Sequence, residues 1–156
     1  MILPKPILNR GGCNLSFAGL KTAILRIQSE INTEEDKFDL AASFQNTIEE
    51  ILVEKTKVAF EMYLSQTNSL KKTFVVAGGV AANKGIKDNL VKLSKENEFQ
   101  CLFPDLNLCS DNAAMIALAG LEKYKKNIFD DLDFKVNPRW QLDEDAKFLK
   151  GAGVKI

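Results

Sequence analysis

The sequence has 156 residues, 46% of them hydrophobic and 27% charged, with 21 basic side chains against 21 acidic ones. That apolar fraction at zero net charge excludes a disordered chain, and no apolar run approaches the ~18 residues a membrane helix needs. There is no histidine, so no histidine base, no Ser-His or Cys-His pair and no imidazole metal ligand can come from this chain.

The length suits one domain of ordinary size. Met1 is followed by Pro4 and Pro6 rather than by an apolar stretch, so no secretory leader is expected. Residues 1–12 carry prolines and glycines without periodicity and read as irregular. A short extended piece at 15–17 leads into a helix from about Ala18, with Leu20, Ile24 and Ile27 on one side. Thr33-Glu34-Glu35-Asp36 resembles a capped helix start with an acidic first turn. It opens a helix of about 30 residues on which Phe38, Ala41, Phe44, Ile48, Leu52, Ala59 and Met62 keep near-helical spacing.

Residues 73–77 are β-branched and apolar, bounded by lysines and by Gly78-Gly79, which predicts a strand buried on both faces. A helix is expected over 81–96, with Ile86, Leu90 and Leu93 inward and Lys84, Lys87, Lys92 and Lys95 outward. A second strand follows over 100–103, stopped by Pro104. Ser110-Asp111 stands where a cap belongs, ahead of an apolar helix over 112–124 that is expected to be deeply buried. The remainder, through Asn137-Pro138-Arg139-Trp140, turns polar, and 141–156 reads as a strap and tail. Strand-helix-strand-helix between 73 and 124 is a βαβα unit, requiring a parallel pair and a right-handed crossover. About three strands in all are too few for an ordinary sheet, so the chain reads as part of a fold. Cys13, Cys101 and Cys109 have no metal-like or disulfide-like spacing and are expected as reduced core thiols of a cytoplasmic protein.

Ligands of parallel α/β units bind beyond the carboxyl ends of the strands. The first such end is Ala77-Gly78-Gly79-Val80-Ala81-Ala82-Asn83. Its glycines permit a tight turn and close approach of a ligand, and the next helix offers a positive dipole end. It is neither a P-loop nor G-x-G-x-x-G, and an ordinary strand-to-helix turn explains it equally well. Asn83 either bonds a sugar or base there or faces water. The second end is Cys109-Ser110-Asp111-Asn112. Capping accounts for one of its polar residues; a carboxylate there could hold a divalent cation, but one ligand makes no site. Arg10, Lys21 and Arg26 lie where they could touch phosphate, while the lysines over 84–95 and 123–126 read chiefly as solvated helix faces.

Three blocks taken together resemble one family: Leu15-Ser16-Phe17-Ala18-Gly19-Leu20-Lys21-Thr22, Val76-Ala77-Gly78-Gly79-Val80-Ala81-Ala82-Asn83, and Cys109-Ser110-Asp111-Asn112-Ala113-Ala114-Met115-Ile116-Ala117. The family is bacterial TsaD, tRNA N6-adenosine threonylcarbamoyltransferase, formerly the O-sialoglycoprotein endopeptidase or glycoprotease family, and Pro138-Arg139-Trp140 resembles its C-terminal ending. The resemblance covers the C-terminal half of such a protein. It implies an α/β fold, a partial actin-like (ASKHA, ribonuclease H-like) second lobe with a parallel βαβα core and a long helix. The lobe fragment would span 1–140, with 141–156 as strap and tail.

The resemblance further implies a transferase that moves the threonylcarbamoyl group from threonylcarbamoyl-adenylate to N6 of the adenosine beside the anticodon. It places Gly78, Gly79 and Asn83 at the nucleotide, Asp111 on a divalent metal (iron or zinc), and Ser16, Lys21, Ser110 and Asn112 nearby. No residue here is assigned as catalytic. The two histidine metal ligands belong to the missing N-terminal lobe, so this chain alone is expected to be inactive. Implied partners are that lobe, tRNA and TsaB- and TsaE-like subunits, with no membrane. Ala18 and Ala81 replace usual serines, and Ala113 a usual glycine. The alternatives are a non-catalytic actin-like scaffold lobe pairing with a related subunit, and phosphotransfer as in sugar kinases of the wider fold. A zincin-type peptidase is excluded by the missing H-E-x-x-H.

Overall fold

A computed structural model describes residues 1–136 and Pro138. The strap and tail over 141–156, the boundary at 140/141 and the rest of the Asn137–Trp140 stretch lie outside the described residues. The chain divides into two compact units, residues 1–112 and a second beginning at Ala113.

In the first unit, residues 1–17 are irregular, as expected, and the extended piece at 15–17 forms no ladder, so it is not a strand here. Helix α1, Ala18–Ile27, buries Leu20 fully and Ile24 and Ile27 partly. Helix α2, Glu34–Gln66, runs 33 residues, about 50 Å at 1.5 Å per residue. Its start is fixed by a reciprocal capping box: the Thr33 hydroxyl accepts from Asp36 N at 3.0 Å, and Asp36 Oδ2 accepts from Thr33 N at 2.9 Å. Hydrogen bonding by the Thr33 side chain, and then by the Asn32 and Thr33 backbone N–H groups, holds the Asp36 carboxyl below its ordinary value of 3.8.

The buried face of α2 is Thr47, Ile51, Lys55 and Phe60. Of the predicted stripe, Ile48, Leu52 and Ala59 are half-buried beside that face, whereas Phe38, Ala41, Phe44 and Met62 are exposed. The hydrophobic period is right for the middle of α2 only. Toward its start Phe44 borders a small apolar groove with Phe17, Leu20, Ile24 and Leu25, and the Met1 ammonium donates to Ser43 Oγ at 3.0 Å.

Strand β1, Thr73–Val75, pairs in parallel with strand β2, Gln100–Leu102, in the register Thr73 to Gln100 and Val75 to Leu102. The bond from Val76 N to Leu102 O, 3.0 Å, extends the ladder by one residue. Helix α3, Lys84–Glu96, connects them and turns Ile86, Leu90 and Leu93 inward, one apolar stripe at helical spacing. The core joins helices to sheet. Phe60 of α2 stacks on Phe99 at 3.9 Å between ring centroids and meets Phe74 of β1 edge-on at 5.2 Å, with Leu93 and Val53 alongside.

Two expectations change here. There are two strands among the described residues rather than three, and β1 is not buried on both faces. Phe74 points to the core, but Val75 is 61% exposed. Thr73, Val75, Gln100 and Leu102, on the opposite face from Phe74 and Cys101, are exposed.

In the second unit, helix α4 is Ala113–Lys125, one residue from its expected bounds. The expected deep burial is not found: no residue of α4 is buried, and Ile116 is 65% exposed. Beyond it the chain turns at Asn127, and Phe129 meets Tyr124 edge-on at 5.9 Å. Lys123 Nζ reaches Asp130 Oδ2 at 3.3 Å. These residues border an apolar groove of about 770 Å3 that lies wholly within this unit.

Candidate functional site

The parallel register makes two connections leave the same edge of the pair, the one beyond Val75 and Leu102. The first is the glycine turn. Gly78 has φ +90° and ψ 171°, a conformation essentially restricted to glycine, so the residue type is set by the backbone. The following residues, Gly79–Ala82, make one turn of 3-10 helix, with Ala81 N bonded to Gly78 O at 2.9 Å and Asn83 N to Val80 O at 3.0 Å. Ala81 is buried and Val80 exposed. The regular helix therefore begins at Lys84 rather than at the expected Ala81, and the intervening turn is what sequence periodicity could not separate from it.

Asn83 is the N-cap of α3. Its Oδ1 accepts from Ile86 N at 3.1 Å, satisfying one of the helix's orphan donors. The same amide pairs with Gln45 of α2 in both directions: Gln45 Nε2 donates to Asn83 Oδ1 at 2.9 Å and Asn83 Nδ2 donates to Gln45 Oε1 at 3.0 Å. Gln45 Nε2 also donates to Glu49 Oε1 at 2.5 Å, and Asn89 Nδ2 donates to Glu49 Oε2 at 2.7 Å. Helices α2 and α3 approach closely here because Gly85 lies opposite: a Cβ on it would collide with the Glu49 carboxylate. Asn83 therefore does not simply face water. It is half-buried and engaged in a polar seam between two helices.

Beneath the turn is a cavity of about 390 Å3, bordered by Val76, Ala77, Val80 and Ala81, by Leu52 and Lys55 of α2, and by Cys13 and Leu15 of the leading segment. Lys55 is 3% exposed. Its ammonium donates to the carbonyls of Arg10 at 2.7 Å and Gly12 at 3.0 Å, which compensates part of the cost of burying a charge and ties residues 10–12 to α2.

The second connection runs from Phe103 to Asn112. A 3-10 turn at Leu106–Leu108 is closed from below by buried Cys109, whose thiol faces the carbonyls of Asp105 at 3.6 Å and Pro104 at 3.9 Å. Ser110 and Asp111 are exposed, and Asn112 Nδ2 bonds Ser110 O at 3.0 Å. No group of three Asp, Glu, Cys or His side chains capable of holding a metal occurs among the described residues. The exposed carboxylates of this loop, Asp105 and Asp111, do not make a cation site, so the donor set among the described residues does not fit a metal by itself.

Of the remaining expected site residues, Ser16 is half-buried ahead of α1, and Lys21 is exposed on the first turn of α1 beside the Phe17–Phe44 groove. Arg10 and Arg26 are exposed, Arg10 contributing its carbonyl to Lys55. Sequence reasoning missed Gln45, Glu49, Lys55, Gly85 and Asn89. A signal existed for two of them. Gly85 stands inside a helix, where glycine costs about 1 kcal/mol relative to alanine and so marks a close approach. Lys55 lies four residues from Ile51 and eight from Thr47, in phase with the buried face.

A parallel strand-helix-strand unit with a glycine turn and a capped helix at its carboxyl edge defines an α/β protein, and that edge is where ligands of such units bind. Residues 1–118 match the family described as TsaD, tRNA N6-adenosine threonylcarbamoyltransferase. The chain is 62% identical over 154 residues to the tRNA N6-adenosine threonylcarbamoyltransferase of Pelagibacter ubique (strain HTCC1062), covering 99% of this chain and 43% of that protein. It is 47% identical over 158 residues to the protein of the same name from Ruegeria sp. (strain TM1040), covering 97% and 43%. For that of Rickettsia bellii (strain OSU 85-389) the identity is 46% over 143 residues, covering 90% and 42%. The chain belongs to the TsaD family, and it spans less than half the length of these relatives.

Proposed function

We propose that this chain is the second, actin-like lobe of a tRNA N6-adenosine threonylcarbamoyltransferase, working with an N-terminal lobe that it does not contain. The observation that carries the reading is the turn at Gly78, whose φ of +90° only glycine readily adopts, set at the carboxyl edge of the parallel pair in a chain of this family. In this reading Gly78 and Gly79 let the backbone approach threonylcarbamoyl-adenylate without a Cβ in the way. The dipole of α3 favours the phosphate, and Asn83 bonds the nucleotide.

The acyl group arrives already activated. The adenosine N6 forms a bond to the carbamoyl carbon while the bond from that carbon to the phosphate oxygen breaks, so AMP leaves with the electron pair and the amine proton passes to solvent. No covalent enzyme intermediate is needed, and positioning of amine against carbonyl supplies much of the acceleration. Asp111 enters only as one ligand offered to a divalent metal (iron or zinc) completed by the other lobe, with Ser110 and Asn112 beside it and Ser16 and Lys21 near the cleft. The other partners in this reading are tRNA and TsaB- and TsaE-like subunits, in the cytoplasm. No helix among the described residues is long and apolar enough to cross a membrane.

The exposed faces of β1 and α4 agree with a lobe whose neighbours lie elsewhere, since apolar surface on this scale is normally covered. The test is co-expression with the part of the Pelagibacter ubique relative that this chain leaves unmatched, in cells depleted of their own enzyme. Threonylcarbamoyladenosine in digested tRNA is then measured by mass spectrometry. Modification is expected with both pieces and with neither alone; none with both pieces present overturns the reading.

A further inference from the structure

We infer that Gln45 is a positioning residue for Asn83, and that it leaves Asn83 one role toward a ligand: a single N–H donor to an acceptor oxygen. The inference deepens, and rests on, the reading of Asn83 as nucleotide-binding. It follows from counting the hydrogen-bonding capacity of one side chain. Asn83 Oδ1 has two acceptor positions; Ile86 N fills one at 3.1 Å and Gln45 Nε2 the other at 2.9 Å. Asn83 Nδ2 has two protons; one goes to Gln45 Oε1 at 3.0 Å, and the other has no acceptor among the described residues.

The orientation of both amides is forced. A backbone N–H can be met only by an acceptor, so the atom facing Ile86 N is the oxygen. That oxygen can in turn be met only by a donor, so the Gln45 atom facing it at 2.9 Å is the nitrogen, whose other proton goes to Glu49 Oε1 at 2.5 Å. The direction of donation thus runs from Asn89 and Gln45 into Glu49 and from Gln45 into Asn83, with Gly85 leaving room for the carboxylate. An amide held at both ends cannot flip to offer its oxygen. The ligand atom it meets must therefore be an acceptor, such as a ribose or phosphate oxygen, and not an amine or ring N–H.

The experiment uses the 156-residue chain with AMP as the probe, by calorimetry and by 15N NMR of the side-chain amides. Asn83→Asp keeps the two accepted bonds and the helix cap but removes both Nδ2 protons, the one bonded to Gln45 Oε1 and the one left for a ligand. Its AMP affinity is expected to fall roughly tenfold or more. That of adenosine, which carries no phosphate for the new carboxylate to repel, is expected to fall as well, with an unfolding midpoint lowered by the lost bond to Gln45. Gln45→Met keeps length and removes the lock. It is expected to weaken AMP several-fold and to broaden the Asn83 amide resonances, while the Ile86 N–H stays protected from exchange. In the parent chain AMP should shift one of the two Nδ2 protons and leave the other. If the parent chain does not bind AMP, the nucleotide reading itself falls, and the donor role with it. If it binds and Asn83→Asp binds equally, the donor role is wrong and the nucleotide reading stands. If Gln45→Met binds AMP as the parent does with unchanged Asn83 resonances, Gln45 does not position it.

Discussion

The two connections at the carboxyl edge of the strand pair are made differently. The glycine turn is supported from several sides: Asn83 caps α3 and is locked to Gln45, and Lys55 holds the leading segment beside the cavity under the turn. The loop after β2 is closed underneath by Cys109, yet Ser110 and Asp111 project from it without comparable support. A turn whose polar groups are already paired is preorganised and presents one fixed hydrogen-bonding face. A carboxylate left exposed gains its role from what is brought to it. The chain thus builds one half of the proposed site unaided and offers a single group toward the other half.

The largest effect that would sharpen this contrast is expected at Lys55. Lys55→Met removes the donor to two carbonyls inside the first unit, and hydrogen bonds from a charged group are worth about 1.5–3 kcal/mol each before relaxation. A loss of about 3 kcal/mol in urea unfolding is expected, with faster amide exchange across residues 10–13. A loss below about 0.5 kcal/mol would mean that the turn side is no better supported than the Asp111 side.

Gly85→Ala comes next. In an open helix this change stabilises by about 1 kcal/mol. Here the new methyl group collides with the Glu49 carboxylate and displaces its bonds to Gln45 and Asn89, so a net loss of about 1–2 kcal/mol is expected. Stabilisation instead would show that the seam behind Asn83 does not constrain it.

A smaller effect is expected at the start of α2, which sets the phase in which Gln45, Glu49 and Lys55 are presented. Thr33→Ala should cost about 1 kcal/mol. The Asp36 carboxyl has a folded-state pKa below its ordinary 3.8, so its contribution is present above that value and fades as pH falls from about 3.8 toward the lower folded value. Acid unfolding of Asp36→Asn should lack that component, and an identical acid limb in parent and variant would remove the capping box from the description.

Much of this was legible in the sequence, and the failures have a common cause. The capped start of α2, the α1 stripe, the α3 stripe and the parallel pair follow from local chemistry and period, which a chain segment carries with it. Burial does not travel that way. Val75 and Ile116 are as apolar as buried residues and are exposed, because exposure is set by what packs on a residue and not by its own type. The seam of Gln45, Glu49, Asn83 and Asn89 was illegible for another reason. Each is an ordinary helix-surface residue alone, and only the close approach of α2 to α3 turns four such side chains into a connected set.

The smallest change in stability separates the two connections most clearly. Asp111→Asn leaves an exposed side chain of the same size, so unfolding should move by less than about 0.5 kcal/mol, as for other surface substitutions. In the co-expressed two-piece enzyme the same change removes the carboxylate that the proposed function offers to a divalent metal, and modified adenosine in tRNA is expected to fall to background. Measured together, the two results separate support from chemistry: Lys55→Met and Gly85→Ala lose stability first, whereas Asp111→Asn loses product with the fold intact. Full modification by Asp111→Asn would place the chemistry of this edge on the glycine turn alone and leave the loop after β2 as a connection between β2 and α4.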